Sequence, residues 1–248
     1  MVYARTLGDT TYSFRVSGRL WRNSLVMMDR ETGTSWSQVT GRAIDGAHRG
    51  AQLNKLEAVQ TTWEQWRNTY PDTRVLKKSE EVVGSRYQNY FDDPERMGLF
   101  RAQWLADRMP GKTLVYGAAL GCDAVAVTED VLDELGSITA ELGVVPVVFS
   151  RGPEGGVRAF AARFEDKVIE LFSDPVTGMA MDVGGSTWDL GTGRCIAGPR
   201  LGERLETVAV TPVFWFAWSS FYPNTQVIDR AEVRAGDNRF FPSRDVGF

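Results

Sequence analysis

Residues 41–50, GRAIDGAHRG, return almost unchanged at 193–202 as GRCIAGPRLG, an offset of 152 residues. Extending the comparison without gaps aligns residues 33–75 with 185–227, and 15 of the 43 paired positions are identical. Ordinary composition would give roughly two or three matches. The shared residues include Trp36 with Trp188, Gly41 with Gly193, Gly46 with Gly198, Gly50 with Gly202 and Leu53 with Leu205, then Trp63, Trp66, Tyr70 and Pro71 with Trp215, Trp218, Tyr222 and Pro223. Self-similarity at a fixed offset predicts one structural unit used twice. Matched glycines imply backbone that must take positive φ or pass close to a neighbour.

Each repeat predicts a short helix after its glycines. In the first, Thr62 and Gln65 read as a capping box. In the second, Thr211 is expected as N-cap with Pro212 at the first helical position. Trp63, Trp66 and Tyr70 share one helical face, as do Trp215, Trp218 and Tyr222, and two equivalent aromatic cores are expected. Pro71 and Pro223 should stop the helices.

Strand-like stretches precede each repeat core: 10–16 and 24–28 in the first, 144–150, 157–164 and 167–172 in the second, with 112–120 and 123–128 earlier still. A helix is expected at 129–135, between Thr128 and Gly136. The predicted fold is α+β, mainly antiparallel β-sheet with short helices, in two pseudo-equivalent halves. Residues 1–77 form the first unit, 78–111 a linker with a polar joint from Lys78 to Gly98, and 112–248 the second unit.

Aligning Val2–Arg5 with Val148–Arg151, and Phe14 with Phe160, leaves Lys112 to Val147 without a counterpart in the first unit. The expectation is a chain that begins partway through its first unit. The alternative is a gap covered by another chain, in a homo-oligomer or by a swapped segment.

A net charge of −4 and a pI near 5.2 supply no long-range attraction to nucleic acid or anionic membranes. No apolar run approaches the ~18 residues of a membrane span, and the first residues do not read as a signal peptide. Cys122 and Cys195 stand alone, too few for a disulfide framework or a paired-cysteine metal site, and both are expected to be buried.

The segment 17–46 resembles the DUF3179 family, which is uncharacterised. The resemblance rests on Ser17-Gly18-Arg19-Leu20, on Met27 through Trp36, on Gly41 through Gly46 and on the late FWFAWSSFYPNT at 214–225, and it runs over nearly the whole chain. It implies a Cys-Pro-x-Cys stretch and a His-Glu pair in relatives, both falling ahead of Met1. Such residues could hold a metal or do redox work. It also implies relatives that are often exported. It names no reaction, cofactor or compartment for this chain.

His48, the only histidine, has no nucleophile or acid beside it in sequence and reads as a surface turn residue. PGKT (110–113) lacks the upstream glycine of a phosphate loop, since position 106 is alanine, and precedes a strand rather than a helix. GTGRCIAG (191–198) has the wrong spacing for a dinucleotide.

Positions that differ between the repeats are where function could lie. Around Trp36 the first unit is the more polar, and Arg19, Asn23, Asp29, Arg30, Trp36 and Gln38 are the candidate ligand-binding residues. Asp29 beside Arg30 suggests a carboxylate- or anion-reading pair, and these residues leave room for a small-molecule ligand. No metal site is predicted. The function expected is a binding or structural module without its own catalytic set. One alternative is a metal- or redox-dependent enzyme whose Cys-x-x-Cys segment lies upstream. Another is carbohydrate binding through exposed tryptophans.

Overall fold

The computed structural model describes residues 1–76, 87–98, 108–165, 167–174 and 177–230. Strands β1 (Val2–Tyr3), β2 (Thr6–Leu7), β3 (Thr10–Thr11), β4 (Phe14–Trp21), β5 (Ser24–Asp29), β6 (Ser35–Ser37), β7 (Ala43–Asp45) and β8 (Lys55–Leu56) lead into helix α1 (Trp63–Thr69). Helix α2 (Gln88–Asp92) stands in the expected linker, of which 77–86 and 99–107 lie outside the described residues. Then come β9 (Leu114–Leu120), β10 (Asp123–Thr128), α3 (Glu129–Leu135), β11 (Ser137–Leu142), β12 (Val145–Arg151), β13 (Val157–Ala161), β14 (Arg163–Phe164), β15 (Lys167–Val168) and β16 (Leu171–Asp174). Last are β17 (Met179–Asp182), β18 (Thr187–Asp189), β19 (Arg194–Ala197), β20 (Glu206–Val208), β21 (Thr211–Phe214), α4 (Trp215–Phe221) and β22 (Gln226–Ile228).

Almost every pairing is antiparallel, as expected; the exception is β22, which runs parallel to β10. Four-stranded sheets form in the orders β4-β5-β6-β7, β16-β17-β18-β19, β11-β12-β13-β20 and β21-β9-β10-β22, with two-stranded pairs β1-β8, β2-β3 and β14-β15. The largest core lies under α3, where Val125, Val127, Val131, Leu132, Ile138, Val147, Phe149 and Ile228 meet. The other side of the same strands contributes Val148 and Phe160 to a second core with Trp188, Leu190, Cys195 and Leu205. A smaller cluster of Trp36, Ala43 and Leu53, flanked by Tyr3, Phe14 and Met27, holds the first half.

Geometry recurs between the halves. Val2 and Tyr3 pair with Leu56 and Lys55 as Ala159 and Phe160 pair with Val208 and Thr207. The β2-β3 pair couples Leu7 to Thr10, and the β14-β15 pair couples Phe164 to Lys167. Isolated bridges join Arg42 to Gln52 and Arg194 to Arg204. These registers correct the alignment of Val2–Arg5 with Val148–Arg151: the stretch of the second half in the same pairing is 159–162, and Leu171, not Phe160, faces Asp182 as Phe14 faces Asp29. The ungapped comparison fails before Gly33 because the β4-β5 hairpin is longer than β16-β17, and the turn after it is one residue longer too.

The glycine expectation has a concrete basis at two matched pairs. A Cβ on Gly46 would stand 2.8 Å from the Thr34 Cα, and one on Gly198 2.7 Å from the Ser186 Cα. Both have positive φ, 102° and 90°. Gly41 and Gly193 likewise pass against the rings of Tyr3 and Phe160.

The helices at 63–69 and 129–135 form where expected. Thr62 and Gln65 make the capping box, and Gly136 ends α3 at φ 69°. The start expected for the last helix is corrected. Thr211 and Pro212 are in β21, paired with Gly117 and Tyr116, and Phe214 is the N-cap. The backbone N–H that proline lacks matters little at a sheet edge, so β9 captures this stretch as a strand. Cys122 is also corrected: it is exposed in the β9-β10 turn, while Cys195 is buried.

Candidate functional site: the Asp–Trp latches and the open aromatic helix

The polar positions around Trp36 begin with Asp29, the last residue of β5. It is fully buried, and both of its oxygens are occupied. The Trp36 indole Nε1–H donates to Oδ2 at 2.9 Å, while the Thr32 backbone N–H and hydroxyl donate to Oδ1 at 2.7 and 2.8 Å. Burial alone would raise this carboxyl's pKa, but the donors from Trp36 and Thr32 outweigh it and hold it below the ordinary value.

The second half builds the same latch. Trp188 Nε1–H donates to Asp182 Oδ2 at 3.0 Å and the Ser186 N–H to Oδ1 at 2.9 Å. Burial again opposes, and the Ser186 and Trp188 donors with the Arg200 charge again win. Arg200 stands 3.6 Å from Asp182. His48, 152 residues earlier, occupies the matched turn, packed edge-on to Tyr12 with centroids 5.1 Å apart and against Trp36 at 6.2 Å. Its Nε2 is buried and has no hydrogen-bond partner among the described residues. The expectation of a plain surface residue is corrected, because the long turn folds the ring back over the Trp36 cluster.

The six candidate residues do not converge. Asp29 and Trp36 are joined inside the first core. Arg30 is exposed, and no ion pair links it to Asp29 among the described residues. Gln38 serves through its backbone, its carbonyl accepting from the Tyr3 hydroxyl at 2.8 Å. Arg19 and Asn23 lie toward the far end of the β4-β5 hairpin, where Arg22 and Asn23 take left-handed turn angles of φ 51° and 60°. That tip reaches the second half. Arg22 donates to the Ser220 carbonyl, Trp21 meets Phe221 edge-on at 5.2 Å, and the Arg22 guanidinium lies 5.3 Å from the Trp21 ring.

Helices α1 and α4 carry the other feature, one missed from sequence. In each, the middle tryptophan donates to a threonine beyond the proline: Trp66 to Thr73 at 3.0 Å and Trp218 to Thr225 at 3.1 Å. In each it also packs on the tyrosine four residues on, with centroids 4.5 and 4.3 Å apart. The surroundings differ. Trp215 and Trp218 are buried in a core with Val115, Ala126 and Val227. Trp63 is 50 % exposed, Tyr70 is exposed, and α1 has no buried residue. The expectation of two equivalent aromatic cores is therefore corrected for the first half. The signal that could have shown this lies between the matched residues: α1 carries Glu64, Gln65, Arg67 and Asn68 where α4 carries Phe216, Ala217, Ser219 and Ser220.

One cavity opens near the halves' junction and another within the second half. One, of about 390 Å³, is lined by Met1, Val2, Ala58, Val59, Gln60, Thr61 and Pro212. The other, of about 270 Å³, is lined by Arg163, Phe164, Glu165, Arg204 and Glu206. Neither contains any of the six candidates. Near the first, Lys55 donates to the Thr211 hydroxyl, and burial lowers its pKa to about 8. Among the described residues no group of three or more His, Cys, Asp or Glu side chains stands together to hold a metal. No helix among them is long and apolar enough to cross a membrane.

The class of protein defined by these features is a mainly antiparallel sheet protein with short helices and two buried Asp–Trp latches, one in each half. A family model described as a protein of unknown function, DUF3179, matches residues 1–225. The chain belongs to the DUF3179 family. No curated protein and no solved structure matches it.

Proposed function

We propose that this protein is a binding module whose binding surface lies in its first half. The observation that carries the reading is the contrast between α1 and α4. An aromatic face that is interior in one half stays open to solvent in the other, and a contiguous exposed apolar patch is characteristic of an interaction site. The carboxylates that would be obvious catalytic candidates, Asp29 and Asp182, are committed to tryptophan latches instead. On this reading Asp29, Trp36 and Gln38 frame the first half. Arg19 and Asn23 at the tip of the β4-β5 hairpin and Arg30 at its other end are separate polar positions on its surface.

We also propose that the two halves descend from one duplicated unit. The recurring registers, the paired latches and the two indole-to-threonine bonds support this.

The reading is tested by titrating the full chain with a panel of short peptides and soluble oligosaccharides, followed by tryptophan fluorescence. A Trp63→Ala/Tyr70→Ala double variant is the paired control. A ligand that binds the wild type and loses at least tenfold in affinity for the variant is expected. Ligands that bind both proteins equally would count against the α1 face. Half-exposed Trp63 favours a second reading, a stacking platform for a sugar ring, and binding confined to the oligosaccharide arm would select it.

A further inference from the structure

The second half displays what covers this kind of helix. There α4 is flanked by β21 and β22, which pair with β9 antiparallel and with β10 parallel, so the β9-β10 hairpin lies over the helix. Gly117 of β9 makes the approach possible: a Cβ on it would stand 2.5 Å from the Trp218 ring. Val227 and Ile228 of β22 are 4 % and 0 % exposed.

Subtracting 152 residues gives 59–62 and 74–76 around α1. Neither stretch forms a ladder with another described residue, and Val75 and Leu76 are 66 % and 86 % exposed. The 390 Å³ cavity runs along Ala58–Thr61 and is bounded across from them by Met1, Val2 and Pro212. One edge of 59–62 and one side of α1 are already seated on the second half: Thr61 and Thr69 donate to the Glu154 and Pro153 carbonyls, Gly155 packs against Gln65, and Gly156 lies against Val59 and the Gln60 carbonyl. Unpaired backbone, exposed aliphatic residues and an aromatic helix thus stand together on one face, in the arrangement that the second half completes with a hairpin.

We infer that this face is the seat of a two-stranded antiparallel β-hairpin supplied by a partner polypeptide. One strand adds antiparallel to 59–62 and the other parallel to 74–76, with a glycine against the Trp66 ring and small or β-branched apolar residues toward α1. Main-chain hydrogen bonds supply affinity, and the glycine supplies selectivity. The inference rests on the reading of α1 as a binding surface and names the partner's chemistry.

The probe is a synthetic peptide of residues 112–128 with Cys122→Ser. It is used free at millimolar concentration and also fused ahead of Met1 through a flexible linker, which raises its effective concentration. Hydrogen exchange on the full chain should slow at 59–62 and 74–76, by at least tenfold in the fusion, with no change at 211–214 or 226–228. The fusion should melt at a higher temperature. Gly117→Val in the added segment, or Val75→Asp with Leu76→Asp in the chain, should abolish both effects. These exposed positions tolerate charge, so loss of the effect would not reflect misfolding.

The inference is overturned if free and fused hairpins both leave 59–62 and 74–76 unprotected, or protect only 211–214. It is overturned too if the Gly117→Val segment protects equally well, or if the chain alone self-associates with protection of the same residues. Failure here together with a panel ligand lost by the Trp63→Ala/Tyr70→Ala variant would leave the binding surface standing and remove only the hairpin.

Discussion

At the scale of single residues, the two buried aspartates tie folding to pH. Asp29 and Asp182 sit below the ordinary carboxylate range in the folded protein, whereas an unfolded aspartate titrates near pH 4. Their stabilising contribution is therefore complete above about pH 4 and is lost as pH falls through the lower folded-state values. Asp29→Asn should cost about 2 kcal/mol at neutral pH, the order of a buried charged hydrogen bond. It should also flatten the acid limb of melting temperature against pH, which thermal melts between pH 6 and 2.5 would measure. Lys55 runs the other way. Its folded pKa of about 8 lies below the free-lysine value of 10.5, so the folded state binds fewer protons between these values and stability rises with pH across that window. Lys55→Met should remove the rise and raise the melting temperature at pH 7. The tryptophans were legible in sequence as repeated positions, and Asp29 only as a polar candidate of the first half. The pairing of aspartate with tryptophan was not, because Asp29 lies seven residues before its tryptophan and Asp182 six, so an ungapped comparison sets Asp29 against Met181.

At the scale of elements, matched glycines mark turns whose geometry forbids a side chain. Gly198→Ala puts a methyl against the Ser186 backbone in a left-handed conformation, and should cost about 3 kcal/mol. Gly202→Ala, also left-handed but with open space around it, should cost about 1 kcal/mol. Denaturant midpoints of the two variants would separate steric from conformational cost. Helix α1 was read correctly to its cap because its signals are local, a threonine and a glutamine three residues apart. The start of α4 was misread because the signals at Thr211 and Pro212 are equally local, and a neighbouring strand overrode them.

At the scale of the molecule, the halves are joined by a chain of charges. Arg158 of β13 donates to the fully buried Glu154 at 3.0 and 2.8 Å and to Glu57, just past β8, at 2.7 Å. Arg158→Ala leaves a buried carboxylate without its cation and should cost about 3–5 kcal/mol. Glu57→Ala removes only the half-exposed partner and should cost under about 1 kcal/mol. Urea unfolding of both variants, followed by tryptophan fluorescence, would check the contrast.

Periodicity, glycine spacing and capping residues, read along the chain, were enough to indicate mostly antiparallel sheet with a few short helices, because those signals lie within a few positions of one another, and motifs spread along the chain carried the family resemblance. Whether a given aromatic residue is interior or open depended on something else. Trp66 and Trp218 share a hydrogen bond to threonine and a tyrosine beneath them, but their helices differ between the tryptophans, Glu64 and Gln65 in α1 against Phe216 and Ala217 in α4. The helix composition already separates an open face from an interior one, and what the tertiary structure alone decides is which element covers α4: the β9-β10 hairpin, whose Gly117 lies against Trp218 although the two are far apart along the chain.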